Sequence, residues 1–155
     1  MARRDAENSP VSDPFGGYYF ALLIGQEEVA HFLECSGLKT AATVFEIEEG
    51  GMNGMTHKRP GQSKWENVVL RYATSANQTL LAWRDEFLQA DHFPTRAGKT
   101  ASIVLYDNNH NIIRRYSLSS CWPVSWEGPQ FNAGSSELAV ETLEIAHEGL
   151  TITSQ

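Results

Sequence analysis

The stretch WPVSWEGPQFNAGSSELAVETLEIAHEGL, residues 122–150, decides the predicted fold because its character changes twice along its length. It begins with aromatic residues around a proline, passes through a turn rich in Gly, Ser and Asn, and ends in a segment that carries four glutamates. Turn residues of this kind between apolar runs mark the boundary between two strands. We therefore predict an aromatic strand, an irregular turn and a final strand over residues 137–148.

Ahead of this stretch, strand-forming runs alternate with turns over most of the chain. Strands are predicted over residues 18–24, 28–37, 42–49 and 64–74, and two more over residues 100–126, joined by a turn at 107–110. About seven strands with short connections indicate a mainly β protein. We expect an antiparallel two-sheet sandwich or partly closed barrel with one flanking α-helix.

That helix is predicted over residues 77–91, where apolar side chains recur three or four positions apart. The predicted apolar stripe consists of Leu80, Leu81, Trp83, Phe87 and Leu88. Asn77 or Ser75 is expected to cap its N-terminus, and Pro94 marks its end. The polar side of the helix is expected to carry Arg84, Asp85, Glu86 and Gln89.

Residues 50–61, GGMNGMTHKRPG, are predicted to form an extended loop between two strands. Four glycines and a proline in this segment oppose regular structure. Two methionines give the segment adaptable apolar side chains, and a basic triplet follows them. Loops of this length inside a compact domain are usually functional or bound to a partner.

Composition narrows the classes of function. The chain has 155 residues, 41% of them hydrophobic, which suits a single domain with one core. A formal net charge of −7 argues against a surface that grips nucleic acid, since such a surface needs clustered Lys and Arg. Cys35 and Cys121 do not form a C-x-x-C pair, so we expect two free thiols in a reducing compartment.

The ends of the chain are predicted to lie outside the domain, which we place at residues 17–150. Residues 1–16 are polar, contain two prolines and are expected to form a flexible arm, while residues 151–155 are expected to form a tail. The first residues carry no secretory signal, and no apolar window is long enough to span a membrane. We expect a protein made in the cytosol whose monomer does not bind a membrane directly.

No pattern in the chain indicates an active site, so we predict no catalytic residue, no cofactor and no metal. His31 and Cys35 share a strand face, but a four-residue step separates their Cα atoms by about 13 Å, which is too far for one zinc ion. The glutamates of residues 137–148 are expected to form a solvated face. Trp122 and Trp126 suit core or interface packing better than a stacking platform.

The stretch quoted first strongly resembles the C-terminal signature of tail tube proteins of contractile phage tails, and most closely that of inner tube proteins of phage-tail-like contractile injection systems. The positions that match this signature are Pro123, Trp126, Phe131, Asn132, Ala133, Val140, Glu141, Glu144, Ala146, His147, Glu148 and Gly149. The segment DPFGGYYFALLIGQEEVAHFLECSGLKTAATVFEIEEGGMNG is similar to the opening of the same family. The resemblance covers roughly residues 13–150.

This resemblance implies a structural protein with a fold like that of the type VI secretion tube protein. Members form six-fold rings that stack into a hollow tube inside a contractile sheath. The implied partners are further copies of the chain, the sheath protein, baseplate, spike and cap proteins, and cargo protein or DNA in the lumen. The particle is expected in the cytoplasm, anchored to a membrane or released.

Two sets of residues are predicted to serve assembly. For the contact between rings we predict part of the 50–61 loop, namely Gly51, Met52, Asn53, Met55, His57, Lys58 and Arg59. For the contact with the sheath we predict the polar side of the 77–91 helix, with Arg84, Asp85, Glu86 and Gln89.

Two other functions stay open at the level of sequence. One is a secreted hexameric ring of the type VI kind that carries effectors. The other is a small β-barrel enzyme or ligand-binding module with a pocket near Trp122 and Trp126, which would need convergent polar groups that the sequence does not supply. The resemblance favours a DNA-free injection machine over a DNA-bearing phage.

Overall fold

The computed structural model describes residues 19–48, 50–51, 56–74, 78–89 and 98–154. The described residues form ten strands and one helix. In chain order these are β1 (Tyr19–Ile24), β2 (Glu27–Phe32), β3 (Glu34–Ser36), β4 (Thr40–Glu48), β5 (Thr56–Trp65), β6 (Val68–Ala73), α1 (Thr79–Gln89), β7 (Lys99–Tyr106), β8 (Ile112–Glu127), β9 (Val140–Ala146) and β10 (Gly149–Ser154).

The long strand β8 belongs to two antiparallel sheets. Its first half lies between β7 and β10 in a sheet that continues through β1 to β2. Its second half pairs with β9 in a sheet that continues through β6 to β3. Ser120, between the two halves, has φ +49, and the pairing of β7 with β8 shifts register beside it. The expectation of an antiparallel, mainly β fold with one helix is confirmed, and the barrel is not closed.

The main core lies between the two sheets because their strands bury alternate side chains. In β6, for example, Val68, Leu70 and Tyr72 are buried, whereas Arg71 is exposed. Leu143 on β9 lies opposite Leu70 and is 1% exposed. A second, smaller cluster of Ala21, Leu23 and Val104 lies apart from the main core.

Helix α1 packs against the main core through Leu80 and Trp83, which are 5% and 2% exposed. Phe87 is half-buried and belongs to the same cluster. Leu88, predicted on the apolar stripe, is 65% exposed. It is one position beyond Phe87, which places it about 100° farther around the helix. The predicted caps, Asn77 and Ser75, and the stop at Pro94 lie outside the described residues.

The predicted strand over residues 28–37 is divided in two, and this division has a structural reason. β2 pairs with β1 in one sheet, whereas β3 pairs with β6 in the other. Between them, the backbone N–H of Leu33 donates to the carbonyl oxygen of Arg71 at 2.8 Å. The chain therefore crosses from one sheet to the other at Leu33, and local sequence carries no strong turn signal there.

Other boundaries also differ from the sequence predictions. The segment over residues 64–74 is divided between β5 and β6 by residues 66–67. Most of the predicted C-terminal tail belongs to β10, which pairs with β8 from Gly149 to Ser154. The predicted arm over residues 1–16 lies outside the described residues.

The predicted turn at 107–110 is confirmed in detail. The Asp107 carboxylate accepts hydrogen bonds from the backbone N–H groups of Asn109 and Asn111, each at 2.8 Å. These hydrogen bonds lower the pKa of the Asp107 carboxyl below its ordinary value, and the bond from the backbone N–H of Asn111 has the largest effect. His110 completes the turn with φ +64.

Candidate assembly surfaces

Strands β4 and β5 form a two-stranded hairpin that pairs with no other described strand. Every side chain of β4 is exposed, and so is every residue of β5 except Gly61. An isolated two-stranded hairpin is marginally stable in water. A hairpin of this length that is exposed on both faces is therefore typical of an element that a partner covers.

The two faces of the hairpin differ in chemistry. On one face Phe45 lies opposite Arg59, and Ile47 lies opposite His57. Phe45 and Ile47 are 61% and 37% exposed, so this face is apolar and basic. On the other face the Lys58 ammonium lies 3.8 Å from the Glu46 carboxylate.

The prediction of a loop over residues 50–61 is wrong for its second half, because residues 56–61 belong to β5. Pro60 is tolerated because β5 pairs on one side only, which leaves an edge where a missing N–H costs no ladder bond. A Cβ atom at Gly61 would lie 2.7 Å from the Phe45 ring, so the ring packs closely over this glycine. The glycine and proline therefore fit an edge strand rather than a loop.

The residues predicted for the ring contact therefore do not all lie in one loop. His57, Lys58 and Arg59 lie on β5, and Gly51 lies in the turn with φ +150. Met52, Asn53 and Met55 lie outside the described residues. Sequence reasoning did not select Phe45 and Ile47, because their alternation with glutamates is equally typical of a strand that covers a core.

Two further strands leave free edges in the same sheet. β2 pairs only with β1, and β10 pairs only with β8, among the strands described. They lie at opposite ends of the order β2-β1-β7-β8-β10. Thr151 to Ser154 are exposed, with Ile152 at 57%. Free edges offer unpaired N–H and C=O groups to another chain.

The polar side of α1 is partly engaged within the protein. The Arg84 guanidinium lies 5.1 Å from the centre of the Trp126 ring, and the Glu86 carboxylate accepts a hydrogen bond from Lys99 at 2.6 Å. The Asp85 side chain is 53% exposed and contacts Arg84 at 3.1 Å. The side chain of Gln89 lies outside the described part of the chain. Asp85 and Glu86 are thus the more exposed described members of the predicted sheath-facing set, and Asp85 contacts its neighbour Arg84 on the same helix rather than another element.

Trp126 packs against the core and holds a buried carboxylate. Its indole N–H lies 3.3 Å from the Tyr72 hydroxyl and 3.4 Å from the carboxylate of Glu141, which is 8% exposed. Burial, followed by the hydrogen bond to Glu141, raises the pKa of Tyr72 well above its ordinary range. This polar cluster satisfies groups inside the fold, as the preference for core packing over a stacking platform predicted.

The candidates for metal chemistry are accounted for in the same way. His31 pairs with Glu28 at 3.1 Å, as expected for a strand histidine satisfied by a neighbour. Cys35 and Cys121 are free thiols. Among residues 19–48, 50–51, 56–74, 78–89 and 98–154, no three His, Cys, Asp or Glu side chains converge to hold a metal ion. Within the same ranges, no helix has the length and apolar character to cross a bilayer.

Comparison with known proteins identifies the family of this chain. A family model described as T4-like virus tail tube protein gp19 matches residues 16–151. No curated protein matches the sequence.

Similar solved structures come from injection machines. A chain of the extended sheath–tube complex of PVC, an extracellular contractile injection system, is 24% identical, with a TM-score of 0.77 over 94% of this chain and 95% of that one. A chain of the anti-feeding prophage cap is 25% identical, with a TM-score of 0.77 over 94% of both chains. Hcp1 from Flavobacterium johnsoniae is 14% identical, with a TM-score of 0.56 over 88% of this chain and 96% of that one.

The family match over residues 16–151 includes both sheets, the exposed hairpin and the helix, and the fold of the described residues agrees with it. The chain therefore belongs to the T4-like virus tail tube protein gp19 family and is a structural component of a phage tail-like tube.

Proposed function

We propose that this chain forms hexameric rings that stack into the inner tube of a contractile injection system, which sheath contraction drives through a target envelope. The observation that carries the proposal is the β4–β5 hairpin, whose apolar and basic face is uncovered in the single chain. The partner is a second copy of the chain in the next ring. No catalytic step is required of the protein in this role.

Charge complementarity supports that partner. The hairpin face presents Arg59 and His57 beside Phe45 and Ile47. The whole chain carries a formal net charge of −7, so the surface that a neighbouring copy presents is acidic on average. Apolar contact supplies the main attraction between copies, and opposite charge selects the orientation.

The free edges support closure of the ring. β2 and β10 terminate the same sheet at opposite ends, so β10 of one copy and β2 of the next are two different surfaces. A contact between different surfaces is head-to-tail, and it closes into a ring when the rotation per copy divides a full turn. Closure also removes both exposed edges, which are an aggregation hazard in a free monomer.

The remaining partners follow from this position in the particle. The similar structures include a sheath–tube complex and a tube-terminating cap, which supports contacts of this chain with sheath, cap and baseplate or spike proteins. Synthesis in the bacterial cytoplasm and passage of cargo protein or DNA through the lumen complete the proposal. A DNA-free machine is favoured because these structures belong to injection systems.

Electron microscopy of the purified protein, beside size-exclusion chromatography with light scattering, tests the assembly. We expect six-fold rings and stacked tubes from the unaltered chain. The double variant Phe45→Ser with Ile47→Ser should keep the rings but lose stacking, whereas Glu137→Gln, exposed and far along the chain from the hairpin, should stack normally. A compact monomer that stays monomeric with baseplate and sheath components present would refute the proposal.

The sheath contact of α1 needs a test that spares the internal contacts of Arg84 and Glu86. Asp85→Lys reverses an exposed charge; it removes the exposed Arg84–Asp85 pair but neither the contact of Arg84 with Trp126 nor that of Glu86 with Lys99. We expect tubes of normal length that co-sediment less with the sheath protein. Unchanged co-sedimentation would move the sheath contact to another surface.

A further inference from the structure

The root of the β4–β5 hairpin, residues 37–39 and 66–67, is held by specific contacts rather than by a flexible connection. The chain enters the hairpin after Gly37, which has φ +84, and leaves it through residues 66–67. A Cβ atom at Gly37 would collide with the carbonyl oxygen of Asn67, so the two passing segments touch through backbone atoms. The Asn67 side chain donates to the Glu144 carboxylate on β9 at 2.8 Å.

Glu66 is the residue at which the hairpin is fastened. Its backbone N–H donates to the carbonyl oxygen of Lys39 at 3.3 Å, and its carboxylate accepts from the Lys39 ammonium at 2.8 Å. Its own carbonyl oxygen lies 3.0 Å from Nε2 of His147. The first two bonds join the entering and leaving segments of the hairpin to each other, whereas the third, like the neighbouring Asn67–Glu144 bond, joins the exit of the hairpin to the body.

His147 makes that connection from the junction between β9 and β10. Its Nδ1 lies 3.1 Å from the carbonyl oxygen of Gly149, the first residue of β10. Both ring nitrogens therefore face carbonyl acceptors. A neutral imidazole donates to one of them at a time, and a protonated ring donates to both. A protonated ring therefore bridges the exit of the hairpin and the start of the free edge strand with two hydrogen bonds, whereas a neutral ring bonds to one of them and lies beside the other.

We propose that His147 is a positioning residue that fixes the direction of the hairpin relative to β10. The Lys39–Glu66 ion pair cannot fill this role, because it lies within the hairpin root and its side chains are 62% and 56% exposed. Exposed pairs of this kind contribute little. His147 is half-buried and contacts both the hairpin exit and β10, through a partly buried hydrogen bond with Gly149 and an exposed one with Glu66.

Because the hairpin is long, a small change of angle at its root moves its far end by several ångströms. The ten residues of β5 span roughly 33 Å at about 3.3 Å per residue. A tilt of about 10° at the root thus moves the far end by about 6 Å, on the order of one strand spacing. Phe45 and Ile47 lie nearer the root and would move by about 3–5 Å, which is enough to break their contact with the next ring in the stacked tube, whose existence rests on the proposed function.

The direction of the hairpin can be measured in the single protomer. Spin labels at Thr56→Cys, at the far end of β5, and Thr100→Cys, at an exposed position of β7, report the distance between hairpin and body by pulsed electron spin resonance. A sample without the introduced cysteines measures residual labelling of Cys35 and Cys121. We expect a narrow distribution that becomes at least about twofold broader in His147→Ala.

Two further variants separate positioning from general stability. His147→Gln keeps a side-chain N–H donor and should restore part of the narrow distribution, whereas Lys39→Met should leave it unchanged. An unchanged distribution in His147→Ala, or equal broadening in Lys39→Met, would overturn the proposal. Loss of the folded state in both His147 variants would also overturn it, since the role would then be structural.

Tube assembly supplies the second readout. His147→Ala should form rings as the unaltered chain does, yet yield about tenfold less stacked tube at the same concentration. If His147→Ala broadens the distance distribution but stacks normally, the direction of the hairpin does not control assembly. The proposed link between hairpin direction and ring stacking would then be overturned. If the unaltered chain forms no tubes, the proposed function fails, while the distance measurement still decides the role of His147.

Discussion

The guanidinium group of Arg84 lies over the indole ring of Trp126, with 5.1 Å between its central carbon and the ring centre. The same indole directs its N–H towards Tyr72 and Glu141, so one cluster joins α1, β8, β6 and β9. Arg84, one of four residues predicted from sequence to face the sheath, therefore fastens the helix to the body.

Replacement of Arg84 should loosen the helix. Arg84→Gln removes the cation above the ring, a contact worth about 0.5–1 kcal/mol at a partly exposed site. For a domain of this size the midpoint of thermal unfolding should fall by roughly 1–4 °C. Asp85→Asn, one position along and more exposed, should change the midpoint by much less. Equal shifts in the two variants, measured by calorimetry, would contradict this account.

Gly61 should be required for the hairpin but not for the body. In Gly61→Ala the new Cβ atom would collide first with the Thr43 hydroxyl group and then with the Phe45 ring, which would lie 2.7 Å away. NMR amide shifts should change along β4 and β5 and stay fixed in β6 and β7. Gly50→Ala is the matched control, since no atom lies within 4 Å of a Cβ placed there. Similar spectral changes in both variants would disprove the packing of Phe45 on Gly61.

Core and surface leucines should differ sharply in their contribution to stability. Leu70 is fully buried between the sheets, whereas Leu33 is 57% exposed at the crossing between them. Leu70→Ala should lower the free energy of unfolding by about 2–5 kcal/mol, because it removes buried methyl groups and leaves a cavity. Leu33→Ala should cost less than about 1 kcal/mol. Chemical denaturation measures both losses, provided that the slope of the unfolding free energy against denaturant concentration is unchanged. Comparable losses in the two variants would mean that Leu70 is not at the centre of the core.

The two thiols should react slowly in the folded protein. Burial raises the pKa of Cys35 and of Cys121 to about 11, from an ordinary value of 9.0. At pH 8 their thiolate fraction is then about a hundredfold below that of a fully solvated thiol. Alkylation followed by mass spectrometry should show this difference between folded protein and protein in guanidinium chloride. Rapid reaction of the folded protein at both sites would mean that neither thiol is protected.

Features set by neighbours in the chain were predictable. The Asp107 turn, the buried side of α1 at Leu80 and Trp83, and the antiparallel β character all follow from local composition and periodicity. The division of the 28–37 strand at Leu33 did not follow, because the change of partner from β1 to β6 is a long-range event. The strand character of residues 56–61 was hidden by Gly61 and Pro60, whose strand role depends on Phe45 and on a free edge.

By itself the sequence determined the class of fold, the helix, the turn at Asp107 and, through its terminal signature, the tail tube family. Only the tertiary structure decided which apolar residues are buried. Phe45 and Ile47 flank Glu46 as Leu70 and Tyr72 flank Arg71, yet the first pair is exposed and the second pair is buried. Periodicity sets which side chains share a face, whereas burial of that face depends on what distant segments of the chain, or another copy of it, pack against it.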